Sequence, residues 1–123
     1  MKSATILLAA LVGYVQATTY AQFCDDHACT ENCGISVSTD NPGCLNESGR
    51  NSIKFHDDNI QEVNLVFSPT PNCPCQTECI NVVACGEGVC GGKVSCMDLA
   101  GHHPAESFRF VGGGSTSCSA NNC

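Results

Sequence analysis

The cysteines are the residues whose chemistry stands out first in this sequence. Twelve of the 123 residues are cysteine, and six of the twelve fall between Cys73 and Cys96. Paired thiols form disulfides in an oxidising environment, whereas in a reducing one they are more often metal ligands. The environment in which the chain folds therefore decides what they do. The full set is Cys24, Cys29, Cys33, Cys44, Cys73, Cys75, Cys79, Cys85, Cys90, Cys96, Cys118 and Cys123.

The start of the chain indicates that environment. A positively charged start is followed by an apolar run over residues 4–15 and by small or aliphatic residues ending at Ala17. This is the pattern of a signal peptide, and the run is too short to span a bilayer, which takes about 20 residues. We predict a signal peptide at 1–17, cut after Ala17 or alternatively after Ala21, and one domain at 18–123. The protein is thus predicted to be secreted and extracellular.

Export and an even cysteine count predict up to six disulfides. The mature chain keeps all twelve cysteines in about 106 residues, a density typical of a disulfide scaffold. A metal–thiolate protein is the alternative, but the segments between the cysteines are rich in Val, Ile and Phe, which a chain wrapped around metal does not require. We therefore expect no bound metal and no cofactor, and we expect reduction to unfold the domain.

The charge of the chain limits its partners. The formal net charge is −7, and it becomes about −8 once Lys2 is removed with the signal peptide. An acidic surface repels phosphate backbones and anionic lipids. This argues against nucleic-acid binding and against a cationic membrane-lytic peptide, and we expect no membrane insertion.

Acid–base catalysis is the next chemistry to consider. A small secreted nuclease or hydrolase needs a base, an acid and a cation. No nucleophile elbow, zinc-protease helix motif or phosphate-binding glycine loop is present. Because polar residues on the wet face of a strand need no function, we predict no catalytic residue and keep the hydrolase as an alternative. Its candidate residues would be Glu62, His56, His102, His103 and Arg109.

Two histidine-containing groups also have ligand types that suit a metal ion. The pair His102-His103 would need Asp57 or Asp58, but neighbouring residues on a strand point to opposite sides. For Asp25-Asp26-His27, the start of a short helix is the simpler interpretation, because carboxylates are favoured at that end of the helix dipole. We therefore predict no metal site.

One asparagine carries a modification motif. Asn46-Glu47-Ser48 is an N-glycosylation sequon, and export makes it usable. Asn46 is therefore the predicted glycosylation site.

The elements that must position these residues are mostly strands. Ser52 to Ser68 predicts a hairpin, because apolar and polar residues alternate on both sides of the polar turn at 57–59. Glu78 to Cys85, Val89 to Met97 and Ser107 to Val111 predict further strands. The central core candidates are Ile53, Phe55, Val63, Leu65 and Phe67.

A short N-terminal helix is predicted after Cys24. Cys29 and Cys33 are four residues apart, hence on one helical face, and Gly34 is suited to end the helix in a left-handed cap. The predicted fold class is therefore a small, disulfide-rich, mainly β domain of antiparallel hairpins with one short N-terminal helix.

The cysteine-dense block at 73–96 is predicted to be a two-stranded hub. In an extended chain Cys73 and Cys75 point the same way, as do Cys79 and Cys85, and neighbours on one face at that spacing are poor disulfide partners. The block should therefore send several bridges out to the first four cysteines and to the C-terminal tail.

The signal peptide, the cysteine density, Cys73-Pro-Cys75, the Gly/Ser-rich end and Cys123 together give a resemblance to a known class. The chain resembles the small secreted cysteine-rich proteins of filamentous fungi that are described as candidate effectors. It lacks the cysteine doublets of hydrophobins, and its cysteine count and spacing differ from those of fungal eight-cysteine haem-binding modules. The resemblance implies secretion and action outside the cell, more often by binding than by catalysis.

These observations predict a secreted, monomeric, effector-like or toxin-like binding protein. It would act on a host or competitor molecule through an extracellular protein partner, with loops such as those at 57–59 and 99–104 presented by a rigid scaffold. The alternatives are the small nuclease or hydrolase and a cell-wall or surface structural protein, which would self-assemble.

Overall fold

Eight β-strands make up the regular structure of the described residues. The computed structural model describes residues 19–56, 63–82, 95–112 and 118–123. Those ranges hold no helix, and so none that is long and apolar enough to cross a membrane. The strands are β1 (Tyr20–Cys24), β2 (Val37–Ser38), β3 (Leu45–Asn46), β4 (Ser52–His56), β5 (Val63–Ser68), β6 (Glu78–Val82), β7 (Ser95–Asp98) and β8 (Ser107–Val111).

The strands form two antiparallel sheets that pack face to face. The first sheet has the strand order β2-β1-β4-β7, and the second has the order β3-β8-β5-β6. Alternate side chains of each strand point between the sheets. There the ring centroids of Phe23 and Phe108 lie 5.0 Å apart, and those of Phe55 and Phe110 lie 6.2 Å apart. The core is therefore one apolar layer shared by both sheets.

The five core residues predicted from the alternating pattern are all buried, which confirms that prediction. Ile53 and Leu65 have no exposed surface, and Phe55, Val63 and Phe67 are at most 5% exposed. All five phenylalanines of the chain lie in this layer, which is why a chain with few large apolar residues still buries a core. The cluster is completed by Ala21, Phe23, Val82, Phe108 and Phe110.

The two strands that were predicted to form a hairpin lie in different sheets. β4 pairs with β1 and β7, whereas β5 pairs with β6 and β8, so the hairpin prediction is wrong. The alternating pattern marks the inward face of each strand, but it carries no information on which strand lies beside it. The predicted turn at 57–59 lies outside the described residues.

The cysteine-dense block is also divided between the sheets. β6 is an edge strand of the second sheet and β7 an edge strand of the first, so the predicted two-stranded hub is wrong. The strand predicted from Glu78 is confirmed over Glu78–Val82, and that at Ser107–Val111 is confirmed with the predicted bounds. Residues 83–94, between β6 and β7, lie outside the described residues.

Residues 25–34, predicted to form the short helix, form turns and bends instead. The carboxylate of Asp26 accepts hydrogen bonds from the backbone N–H groups of Thr30 and Glu31, each at 2.9 Å. Cys29 has a left-handed backbone with φ of 60°. A carboxylate that accepts hydrogen bonds from nearby backbone amides stabilises a closed loop in competition with a helix. This explains why the segment is not helical, although Cys29 and Cys33 are four residues apart.

Five disulfides join the ten described cysteines, and none of these ten is free. Four bridges connect the block at 73–96 to the N-terminal region or to the tail, which is the export of bridges that the sequence predicts. Cys85 and Cys90 lie outside the described residues. Disulfides in this number are consistent with an extracellular protein. The pairs are Cys24–Cys33, Cys29–Cys96, Cys44–Cys73, Cys75–Cys123 and Cys79–Cys118.

The tail at 118–123 lies over the outer face of the second sheet, where two of these disulfides hold it. Gln76 is only 6% exposed, and its side chain donates to the carbonyl of Ser119 at 2.6 Å. Its backbone N–H donates to the side-chain oxygen of Asn122 at 2.7 Å. Val66 points away from the core layer and is nevertheless 3% exposed, because this stapled segment covers it.

Candidate binding cleft

A cleft of about 510 Å³ lies beside the loop that follows β7. Phe67 and Phe108, both buried in the core, and Leu99 contribute its apolar lining. The rest of the lining comes from Pro69, from residues 48–51, which precede β4, and from residues 102–106, which precede β8. The cleft thus lies where loops from the two sheets meet, and it includes most of the loop that was predicted to be presented to a partner.

Glu78 holds this loop in place. It lies opposite Phe67 in the β5–β6 pairing, at the edge of the second sheet. Its Oε1 accepts the backbone N–H of His103 at 2.9 Å and lies 3.0 Å from Nδ1 of the same residue, while its Oε2 lies 2.7 Å from Nδ1 of His102. Burial by itself raises the pKa of Glu78, but these hydrogen bonds and the charge of His102 together outweigh burial and lower the pKa below 4.5. The carboxylate therefore stays ionised and fixes both histidines.

A turn over residues 99–103 brings two neighbouring side chains to one carboxylate. The N–H of His102 donates to the carbonyl of Leu99 at 3.2 Å, and Gly101 adopts a φ of 88°, which costs little for glycine. The ring of His102 lies 5.5 Å from that of Phe67, with 25° between the planes. On a strand these neighbours would point apart, whereas the turn directs both towards Glu78.

Asp98 fixes the start of the same turn. Its Oδ1 accepts the N–H of Ala100 at 2.9 Å and lies 2.7 Å from Nδ1 of His27. The hydrogen bond from Ala100, followed by the one from His27, lowers the pKa of Asp98. His27 belongs to the loop after β1, so the turn is attached to the N-terminal loop as well as to Glu78.

Arg50 lines the cleft, but its guanidinium already has partners. Its Nε donates to Glu47 at 2.8 Å, and its Nη1 donates to Asp25 at 2.9 Å and to the carbonyl of Asn32 at 2.7 Å. Burial by itself lowers the pKa of Arg50, but the two carboxylates outweigh burial and raise it. Gly34 packs so closely that a Cβ there would lie 3.0 Å from Nη2. Arg50 therefore holds the wall of the cleft to the N-terminal loop.

The residues considered for a hydrolase do not come together. His102 and His103 share the cleft region, whereas His56 lies on the outer face of the first sheet, where its ring stacks on that of Tyr20 at 5.9 Å. Arg109 lies on the outer face of the second sheet, beside the tail. Glu62, the remaining candidate, is outside the described residues.

The two groups considered as metal sites have other contacts. Asp57 and Asp58 lie outside the described residues, and the pair His102-His103 contacts Glu78 instead. In Asp25-Asp26-His27 each side chain has a different partner. No set of three or more His, Cys, Asp or Glu within the described ranges is arranged to hold a metal ion.

Asn46 is exposed on the edge strand β3. Its Oδ1 accepts the N–H of Asn72 at 2.7 Å, and its Nδ2 donates to the side-chain oxygen of Asn72 at 3.2 Å. A glycan on Nδ2 would leave the first of these bonds in place. The predicted glycosylation of Asn46 stays a prediction.

Glu78 is not among the predicted site residues, although the strand pattern contains a signal for it. Glu78 has the same strand phase as Ile80 and Val82, which face the core side of the second sheet. A carboxylate at a strand position that faces the apolar core side needs a hydrogen-bonding or charged partner in the folded chain. That partner is the histidine pair, which the sequence placed on a solvated loop.

Comparisons with protein-family models, with curated proteins and with solved structures find no match for this chain.

Proposed function

We propose that this is a secreted, disulfide-stabilised binding protein of the effector-like or toxin-like kind, which acts on an extracellular molecule of a host or competitor. The cleft beside residues 99–106 is its contact surface. The observation that carries the proposal is the attachment of this loop at three points: to Glu78, to Asp98 and, through Asp98, to His27. A loop held in this way loses little conformational entropy on binding.

The disulfides support the same function. Cys29–Cys96 fastens β7, just ahead of the cleft loop, to the N-terminal loop, and Cys44–Cys73 fastens the segment before the other cleft wall. Both walls are thus fixed by covalent bonds outside the cleft. A secreted protein that must keep a binding surface among proteases benefits from this arrangement, because a fixed loop rarely opens to be cut.

The cleft is also an accessible concave surface. The outer face of the second sheet is covered by the tail at 118–123, and the loop at 25–34 covers Cys24 and Ser52 on the outer face of the first. The cleft combines an apolar lining with polar walls, which is the usual make-up of a ligand or peptide site.

The test is saturable binding to the surface of candidate host or competitor cells. The oxidised domain 18–123, labelled with a fluorophore, is titrated onto the cells and competed with unlabelled variants. Glu106→Arg changes an exposed cleft residue whose side chain has no hydrogen bond to any described residue, and Asp40→Arg makes the same charge change on an exposed turn outside the cleft. We expect Asp40→Arg to compete like the unsubstituted domain and Glu106→Arg to compete about tenfold more weakly. Equal competition by both would refute the cleft as the contact surface.

One observation favours a secreted hydrolase as the second candidate. Glu78 holds the Nδ1 side of His102, and a carboxylate-oriented imidazole beside a cleft can act as a general base or acid through its other nitrogen. Turnover of RNA or glycan substrates by the oxidised domain, lost in His102→Gln, would establish this function in place of binding. Light scattering that rises steeply with concentration would instead indicate the structural, self-assembling role.

A further inference from the structure

A second, smaller cavity of about 140 Å³ lies on the outer face of the second sheet, between β8 and the tail. Val66 and Arg109, which are cross-strand neighbours, contribute to it from the sheet. Gln76, Ser119 and Asn122 contribute polar groups from the segments that the disulfides hold over this face. The cavity shares no lining residue with the cleft.

The walls of this cavity are held by disulfides and hydrogen bonds. The lining residues Cys73 and Cys75 are bonded to Cys44 and Cys123. The carbonyl of Ser119 and the side-chain oxygen of Asn122 both accept hydrogen bonds from Gln76. These hydrogen bonds and the two disulfides hold the walls of the cavity in place beside Arg109.

Arg109 is the charged group of the cavity and it has no counter-ion there. It is half-buried, and in the described part of the chain no carboxylate lies within 4.0 Å of its nitrogens and no acceptor bonds to them. No acidic residue lines the cavity. Arg50 shows the contrast, with two carboxylates on one guanidinium.

Of the described cations, Arg50 is paired with carboxylates, whereas Lys54 and Arg109 are half-buried without a partner among the described residues, and of these two only Arg109 lines either cavity. Partial burial removes water from the guanidinium, and a bound anion restores the lost interactions. The planar donor fork of arginine matches the two oxygens of a carboxylate or sulfate group. The cavity has room for one small oxyanion but not for a nucleotide or an oligosaccharide.

We propose that Arg109 and the cavity around it form a binding site for a small oxyanion, a carboxylate or a sulfate-like group. Val66 supplies an apolar floor, and the stapled tail limits the size of the ligand. The site lies apart from the cleft and does not depend on the function assigned to the cleft.

The experiment is an NMR titration of the oxidised, ¹⁵N-labelled protein with sodium sulfate and with sodium acetate, each at constant ionic strength set with sodium chloride. We expect saturable shifts confined to the Nε–H of Arg109 and to the backbone amides of Gln76, Ser119 and Asn122. Arg109→Gln should lose saturation, and Arg109→Lys should bind roughly threefold more weakly, because lysine lacks the fork. Lys54→Gln makes the same charge change on the outer face of the first sheet and should bind like the unsubstituted protein.

A further variant covers the case in which Arg109→Gln fails to fold. Ala120 is exposed and lines the cavity, so Ala120→Asp places a carboxylate at its mouth without breaking a contact. This variant should fold and should lose the anion response, because the new carboxylate pairs with Arg109. The proposal is overturned if shifts are linear with concentration, if Lys54→Gln weakens them as much as Arg109→Gln, or if Ala120→Asp leaves them unchanged.

Discussion

Oε2 of Glu78 lies 2.7 Å from Nδ1 of His102, which lies in the segment that connects the first sheet to the second. Glu78 begins β6 of the second sheet, and His102 follows β7 of the first. This contact therefore attaches the connection between the sheets to the edge of the second sheet at the cleft. It also completes a chain of contacts through the turn to Asp98 and His27.

Replacing Glu78 by glutamine should lower stability and loosen the turn. The amide keeps one acceptor but loses the charge that strengthens the bonds to both histidines, which predicts a loss of about 1–2 kcal/mol near pH 5.5. Because the pKa of Glu78 is below 4.5 in the folded chain, the unfolded chain binds protons first as the pH falls. The unsubstituted protein therefore has its full excess in free energy of unfolding over Glu78→Gln above about pH 4.5. This excess disappears as the pH falls through the folded-state pKa of Glu78.

Urea unfolding of both proteins between about pH 5.5 and pH 2.5 measures this difference. Glu106→Gln is the matched control, since Glu106 is exposed and its side chain has no hydrogen bond among the described residues. A difference for Glu78→Gln that is constant with pH would show that the carboxylate charge is not what holds the turn.

The sequence predicted the strands of this fold better than their arrangement. Alternation located β4, β5 and β8 because each strand buries one face, and the same five side chains that the pattern selects lie between the sheets. Pairing depends instead on which strands lie side by side, and this is decided by long-range packing. A short connection between two alternating segments suggests a hairpin even when, as for β4 and β5, the chain crosses from one sheet to the other.

The candidate site was predictable only in part, for two physical reasons. The histidines were recognised, but their joint use depends on a turn whose geometry needs Gly101 and Asp98 together. The helix prediction was wrong because it relied on the four-residue spacing of Cys29 and Cys33, which suits one face of a helix. The hydrogen bonds from backbone amides to the Asp26 carboxylate favour a closed loop instead. In both cases a side chain that bonds to nearby backbone amides overrides the pattern of residue types.

Replacing Asp26 by alanine should open the loop at 25–34. Hydrogen bonds from the hydroxyl of Thr30 and the N–H of Glu31 lower the pKa of Asp26, which shows that the ionised carboxylate is the form that holds the loop. We expect the amide protons of Thr30 and Glu31 to exchange much faster with solvent in this variant. Hydrogen exchange followed by NMR measures the exchange rates of these two amide protons. Asp40→Ala is the control, because Asp40 is exposed and its carboxylate accepts no such bonds in the described structure. Unchanged protection at both amides would contradict this role.

The disulfides should differ in how much each one adds to the free energy of unfolding. Cys29–Cys96 spans 67 residues and Cys24–Cys33 spans 9. If a bridge stabilises mainly by restricting the unfolded chain, removing the longer one costs about 2 kcal/mol more. Denaturant unfolding of Cys29→Ala/Cys96→Ala and Cys24→Ala/Cys33→Ala compares them, each variant having its other bridges verified by mass spectrometry. Equal losses would indicate that packing around the shorter bridge, where Cys24 is fully buried, matters as much as chain entropy.

We predict that the mature protein begins at Thr18, because cleavage after Ala21 would remove the first two residues of β1 and their pairing with β2 and β4. The carbonyl of Thr19 accepts the N–H of Thr39 at 2.9 Å and its hydroxyl at 3.1 Å, and Ala21 is fully buried opposite Phe55. Removing residues 18–21 should cost about 3 kcal/mol, which lowers the melting temperature of a domain this size by roughly 10–20 °C. Intact mass of the secreted protein identifies the natural start, and calorimetry of the domains 18–123 and 22–123 measures the cost. A secreted protein that begins at Gln22 and melts at the same temperature as the longer domain would contradict the prediction.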